Sequence, residues 1–261
     1  MIQVIERFHK IMLAVSRDKN ANCSVSELAA ILNISTSACA NIVKTMVELG
    51  YLRSLGPRQN YKMGDMPYYI ARHGKFHQAL IATARPLLEK MMLEINELAV
   101  LVVEHNGRRC ELLRMESNNL LQVKSPNNLD SLMTSPTGCV ILAGKTEEYR
   151  ESYWKNCADK ENCPQAKSFK KFNDACKKIN KEERIILEPK ETDYLKRMQL
   201  SARMAFPIYK NGETAAALGL VVPMIRFSAD ENRNKIMETA SETAQKISEK
   251  LTGGADENKK N

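Results

Sequence analysis

Two short helical periodicities separated by three residues constrain this chain more than any other feature. "SELAAILN" and the stretch from about Thr36 to Leu49 are apolar at helical spacing, and Asn33-Ile34-Ser35 makes a tight turn between them. Either Ser24 or Ser26 can cap the first helix, with Glu27 favourably placed near its N-terminus. On the second, the steps of three and four put Cys39, Ile42, Met46 and Leu49 on the core face. Gly50 stops it, because glycine tolerates the left-handed cap conformation. An earlier helix, about residues 2–16, repeats Ile5, Phe8, Met12 and Val15. Beyond Gly50, strand-like pieces at about 51–54 and 60–63 flank a Gly-Pro turn and read as a β-hairpin. Helix, helix, turn, helix, hairpin is the order of a winged helix-turn-helix. It ends at Gly64, and "GDMPYY" marks a boundary.

A reading helix presents its N-terminal residues to base edges in the major groove while its other face packs on the preceding helix. Here the outward positions are Ser35, Thr36, Ser37, Ala40, Asn41 and Lys44, and residues 34–43 contain no Lys or Arg. That neutrality leaves two readings open, a reader or a packing helix. Asn can bond an adenine edge bidentately, hydroxyls reach bases or phosphates, and Ala can touch a thymine methyl. Phosphate contacts supply affinity rather than sequence information, so the cations can sit elsewhere. Arg53, Arg58 and Lys62 on the hairpin are placed for that role. Residues 1–64 hold eight Lys and Arg against four Asp and Glu, half of the chain's +8 excess in about a quarter of its length. A local surplus of this kind suits a polyanion; a solvated basic face is the alternative.

The rest of the 261 residues reads as a second domain. A long helix at about 75–97 carries Leu80, Ala84, Leu87, Met91 and Ile95, with Pro86 imposing a kink or a break into two. Two strands surround Asn106-Gly107, a strong hairpin turn, and "LLQVKS" reads as a third. "SPTGCVILAG" opens a short helix, followed by another at about 146–156 and a Lys-rich solvated helix at about 168–182. "RIILEP", "SARMAFPIY" and "TAAALGLVVP" add three strands. A final helix, 229–251, aligns Ile236, Ala240, Ala244, Ile247 and Leu251 before a disordered tail. Hairpin-linked strands between terminal helices predict an α+β domain with an antiparallel sheet.

The chemistry of turnover finds little footing. There is no phosphate-cradling Gly-rich loop, no Gly-x-Ser-x-Gly and no His-Glu-x-x-His. Seven cysteines without framework spacing point to reduced thiols in a cytoplasm. Cys157, Cys163 and Cys176 could join Cys139 around a metal, but they lack the close pair of a structural zinc site, and free thiols are preferred. His73 and His77 could share a helix face as metal ligands, or be two solvated or capping imidazoles, and the second is preferred. No metal and no cofactor is expected. No apolar run approaches the ~20 residues of a membrane span.

The ordered set of motifs resembles the IclR family of bacterial transcription regulators over about residues 2–251. "VIERFHKIMLAV", "SVSELAAILNIS", "TMVELGYL" and "NYKMG" are similar to its winged domain. "ARPLLEKM", "LLRMES", "SPTGCVILAG" and "FPIYKNGETAAALGLVVP" are similar to its effector domain. The resemblance implies a GAF-like antiparallel-sheet effector domain. The divisions are then 1–64 for the winged helix-turn-helix, 65–97 for linker helices, 98–252 for the effector domain and 253–261 for the tail. It places a ligand pocket between "MTSPTGCVILA" and the last two strands, at Met133, Ser135, Thr137, Gly138, Arg203, Met204, Gly219 and Val221. Against this, Met204 and Val221 can be core, and Arg203 solvent-facing or ion-paired. The family's reading helix usually carries basic or aromatic-nitrogen residues where this chain has Thr36, Ala40 and Asn41. Residues 155–167 have no counterpart.

The expected function is ligand-responsive regulation of transcription by a homodimer or dimer of dimers on double-stranded DNA with a near-palindromic operator. The long helix with its apolar stripe would couple sensor to reader. Arg203 and the helix start at Gly138, with free backbone N–H groups, suggest a small organic acid as effector, a sugar acid or metabolic carboxylate. The rival readings are an enzyme that uses the first domain as scaffold, and a protein-interaction module.

Overall fold

A computed structural model of the chain describes residues 2–17, 22–56, 60–73, 77–123, 131–158, 166–188 and 201–257. Contacts divide the chain into two compact units, residues 1–76 and 77–261.

In the first unit, α1 (Gln3–Arg17), α2 (Val25–Leu32) and α3 (Thr36–Glu48) precede β1 (Leu52–Ser54), β2 (Tyr61–Met63) and α4 (Met66–His73). Ser24, rather than Ser26, caps α2. Its hydroxyl accepts the Glu27 N–H, and the Glu27 carboxylate accepts the Ser24 N–H, a reciprocal capping box. Asn33 closes the helix in the left-handed conformation, and α2 and α3 then diverge by 110°. That is the angle of a helix-turn-helix. Ile11, Val15, Leu28, Cys39, Val43, Met46 and Leu52 are buried together. Two expected core positions differ: Ile5 is exposed, with Ile11 taking its place, and Leu49, 56% exposed, yields to Val43. Leu49 is the C-cap of α3 and keeps helical dihedrals, but at about 100° per residue it falls to the side of the stripe that Cys39, Val43 and Met46 define.

In the second unit, α5 (Gln78–Ile95) is unbroken through Pro86. It is followed by β3 (Leu98–His105), β4 (Arg108–Met115), α6 (Pro136–Ala143), α7 (Glu147–Asn156), α8 (Phe169–Glu182), β5 (Ile185–Leu187), β6 (Ser201–Lys210), β7 (Glu213–Pro223), α9 (Met224–Phe227) and α10 (Asp230–Glu257). One antiparallel sheet runs β4-β3-β7-β6-β5. Both tight hairpins have two consecutive positive-φ residues, Asn106-Gly107 and Asn211-Gly212, the turn whose twist matches the strands. α5 and α10 cover one face of the sheet, α6 and α8 the other. Buried Glu97 at the start of the sheet forms a bidentate pair with Arg226 of α9.

The differences from expectation are local. Residues 120–123 form no strand and Leu120 is fully exposed, while 124 and 125 lie outside the described residues. The Lys-rich helix α8 is not solvated all round: Phe172, Cys176 and Ile179, at steps of four and three, are buried. The segment expected to be linker helices divides between the units. α4 falls in the first, whereas Leu80, Ala84, Leu88 and Met91 of α5 belong to the core of the second. α10 continues to Glu257 through Gly253, past the point where the tail was expected to begin. Residues 258–261 lie outside the described residues.

Candidate nucleic-acid and ligand sites

The face of α3 expected to read DNA is the side away from the buried Cys39, Val43 and Met46. Thr36, Ser37, Ala40, Asn41 and Lys44 are all exposed there, together with Ala38. Ser35 is also exposed, but its Oγ accepts the Ala38 N–H at 3.2 Å, so it caps the helix. Lys44 lies 4.0 Å from Glu48 with both side chains in solvent, a weak pair that leaves the ammonium available. On the hairpin Arg53 is exposed and Lys62 half-buried, paired across the strands. Arg58 lies outside the described residues. Three contacts that the sequence did not reveal fix the hairpin. Cys23 exchanges two backbone hydrogen bonds with Tyr61 at 2.8 Å each, and Asn60 Nδ2 donates to Asn22 Oδ1 at 2.6 Å. Both anchors come from the loop before α2, which has no strand periodicity of its own.

A groove of ≈ 480 Å³ in the same unit, lined by Leu52, Arg53, Met66 and Tyr69 among others, is wide open to solvent. A half-open pocket of the second unit is the better candidate ligand site, because more polar groups converge there. Ser135, Thr137, Arg203, Met204, Gly219 and Val221 line it, as expected from the sequence, joined by Leu98, Val100, Arg109 and Arg114. Its free volume is ≈ 30 Å³, of water size. Two expected residues stand outside it. Met133 is buried in the core beneath α6, and its carbonyl accepts the Cys139 thiol at 3.4 Å. Gly138 is structural: a Cβ there would stand 2.0 Å from the Leu132 carbonyl oxygen. Its N–H is not free for a ligand, since it donates to Ser135 Oγ at 3.1 Å. Met204 touches the pocket differently from expectation. It follows Arg203 on β6, so its side chain takes the opposite face of the sheet and joins the core under α5 and α10.

Gly219 sits where α6 meets the sheet. A Cβ there would lie 2.5 Å from Thr137 Cγ2 and 3.0 Å from Val100 Cγ2, so glycine lets Thr137 pack down onto β7. Thr137 Oγ1 accepts from Arg109 Nε at 3.0 Å, which ties the edge strand to the start of α6.

Arg203 is 9% exposed, and among the described residues its Nε is buried without a hydrogen-bond partner. Burial pulls its pKa down from the usual arginine value. The guanidinium nonetheless stays charged at neutral pH, because arginine starts so high. A buried cation with an orphan donor, beside two hydroxyls and apolar walls, has the chemistry to receive an anion. Arg109 is also held down by burial, with Glu111 opposing that shift.

Arg109 and Arg114 escaped the sequence analysis because β4 is not a regular strand. Leu101 pairs with Leu113 and Val102 with Glu111, leaving Leu112 as an extra residue in a β-bulge. Strict alternation would put Arg114 on the face away from Arg109; the bulge returns it to the pocket.

The reduced-thiol expectation concerns six described cysteines, no two of which are joined by a disulfide, with Cys163 outside the described residues. Among the described residues no three His, Cys, Asp or Glu cluster as a metal site, and no single helix is long and apolar enough to cross a membrane.

Residues 76–249 match the family model for the C-terminal domain of the bacterial transcriptional regulator IclR, and residues 10–53 match a winged helix-turn-helix DNA-binding model. No curated protein sequence matches the chain. Among solved structures, the fold is similar to an IclR homolog complexed with 4-hydroxybenzoate from Microbacterium hydrocarbonoxydans. That pair is 20% identical with TM-score 0.73, covering 95% of this chain and 98% of the other. It is also similar to an IclR transcriptional regulator from Alicyclobacillus acidocaldarius, at 12% identity and TM-score 0.78, covering 96% and 99%. Pseudomonas aeruginosa HmgR is a third such structure, at 16% and 0.68, covering 96% and 100%.

Proposed function

Since this chain belongs to the IclR family of bacterial transcriptional regulators, we propose that a small organic acid bound at Arg203 controls its affinity for DNA. The winged helix-turn-helix is its DNA-binding part and the sheet domain its effector domain. Thr36, Ser37, Ala40 and Asn41 read base edges, while Arg53, Lys62 and Lys44 hold phosphates. A homodimer or dimer of dimers places two reading helices on adjacent turns of a near-palindromic operator.

The observation that carries the ligand reading is the buried, unpartnered Nε of Arg203, with Ser135 and Thr137 in the same pocket. The similar Microbacterium protein is complexed with 4-hydroxybenzoate, a small organic acid. A free volume of water size means that an acid enters by displacing pocket side chains. Such a displacement gives the ligand-bound and ligand-free forms different shapes, which differential DNA affinity requires. A coupling of about 1–3 kcal/mol changes operator affinity roughly 5- to 150-fold.

Calorimetry of small acids and their neutral amides against wild type and Arg203→Ala tests the site. Operator binding with and without the best acid tests the coupling. Equal affinity of Arg203→Ala, or binding of the amides alone, rules out the acid site.

A further inference from the structure

The bulge at Leu112 brings three charged side chains of β4 onto the pocket side of the sheet. Glu111 stands between two arginines: Arg109 Nη2 donates to its Oε2 at 3.2 Å, and Arg114 Nη1 to its Oε1 at 3.5 Å. Both carboxylate oxygens are therefore engaged. Arg109 is further fixed by Thr137, and Arg114 Nε donates to Glu116. The side chains of Arg109, Arg114 and Glu111 are 7%, 18% and 19% exposed, so these pairs are poorly screened by water. Among the described residues, three guanidinium groups line the pocket, and two carboxylates pair with two of them. The third, Arg203 on β6, keeps the orphan Nε.

We propose that Glu111 sets the charge class of the effector: it occupies the anion position of Arg109 and Arg114 from within the chain, so the pocket accepts a monocarboxylate and refuses a dicarboxylate of the same size. The proposal rests on the acid-site reading above. One ligand carboxylate on Arg203 completes the charge balance of the site. A second one would have to approach arginines already engaged by Glu111, and like charges in a site of low dielectric repel strongly. Arg109 and Arg114 then face the ligand as neutralised hydrogen-bond donors, suited to a hydroxyl or carbonyl group at its far end. Glu111→Gln keeps the shape of the side chain, removes its charge and exposes the arginine pair to a second ligand carboxylate.

The test is titration calorimetry on the full chain with two matched pairs, monomethyl terephthalate against terephthalate and monomethyl succinate against succinate. In each pair the monoester is at least as large, so only charge disfavours the diacid. Wild type should bind a monoester about 100-fold more tightly than its diacid. Glu111→Gln, checked for folding by its melting transition, should reduce that ratio about tenfold or more. Equal affinities in wild type overturn the proposal whether or not the variant folds. So does a folded variant that binds the monoester with an unchanged ratio. Binding of neither monoester removes the acid-site reading and this inference with it, whereas the other failures leave the acid site standing.

Discussion

Arg53 and Lys62 are Cα partners across the antiparallel hairpin of the first unit, so their side chains leave the same face of the wing. Like charges directly opposite each other destabilise a hairpin slightly. A polyanion laid along that face would offset the repulsion.

Arg53→Gln and Lys62→Gln should each lower the slope of log K against log salt by about 0.9 on double-stranded DNA. Fluorescence anisotropy at four salt concentrations measures it. Unchanged slopes in both variants would place the wing away from the phosphates and favour the packing interpretation of α3.

Two serines two residues apart at the start of α3, the N-cap Ser35 and the exposed Ser37, should behave differently. Ser37→Ala with Asn41→Ala should relax discrimination between operator and scrambled DNA by about 1–3 kcal/mol at particular base pairs, with stability unchanged. Ser35→Ala removes the cap on Ala38 N–H and should cost about 1 kcal/mol in urea unfolding. A double variant with full discrimination would mean that α3 does not read bases.

Gly138→Ala and Gly219→Ala separate scaffold from pocket. At Gly138 the added methyl meets backbone, and unfolding should become easier by about 1–3 kcal/mol. At Gly219 it meets the Thr137 methyl and should push the start of α6 off the sheet, so acid binding falls more than stability does. Acid affinity of wild-type strength in Gly219→Ala would show that Thr137 does not shape the site.

Burial raises the Cys39 thiol pKa, which keeps it protonated and slow to alkylate in the native state. Iodoacetamide labelling followed by mass spectrometry should modify Cys39 only as the chain unfolds, with half-buried Cys157 reacting sooner. Stoichiometric zinc in protein purified without chelator, lost on Cys157→Ser, would contradict the reduced, metal-free thiols expected here.

Where local chemistry decides structure, the sequence was legible. The serine-capped start of α2, the Asn106-Gly107 hairpin and the α10 stripe from Ile236 to Leu251 each depend on residues a few positions apart. Tertiary context overrode the rest. Lysines on its outer face concealed the buried side of α8, and Leu120 and Leu121 carry an apolar signal without a strand to pair with. In the pocket, Arg203 and Met204 are sequence neighbours, so a period of two already forbade both side chains from entering it. The β4 arginines were hidden for the opposite reason, since their odd separation looks like opposite faces until the bulge is seen.

That bulge has a consequence for how relatives should be aligned. Leu112 is a supernumerary residue: deleting it would leave Arg109, Glu111 and Arg114 on the face they now share and restore plain alternation to β4. A strand one residue shorter can therefore display the same charges. The homologous arginine is then found only if the gap is opened opposite Leu112; an ungapped alignment pairs Arg114 with a position that faces α5 and α10.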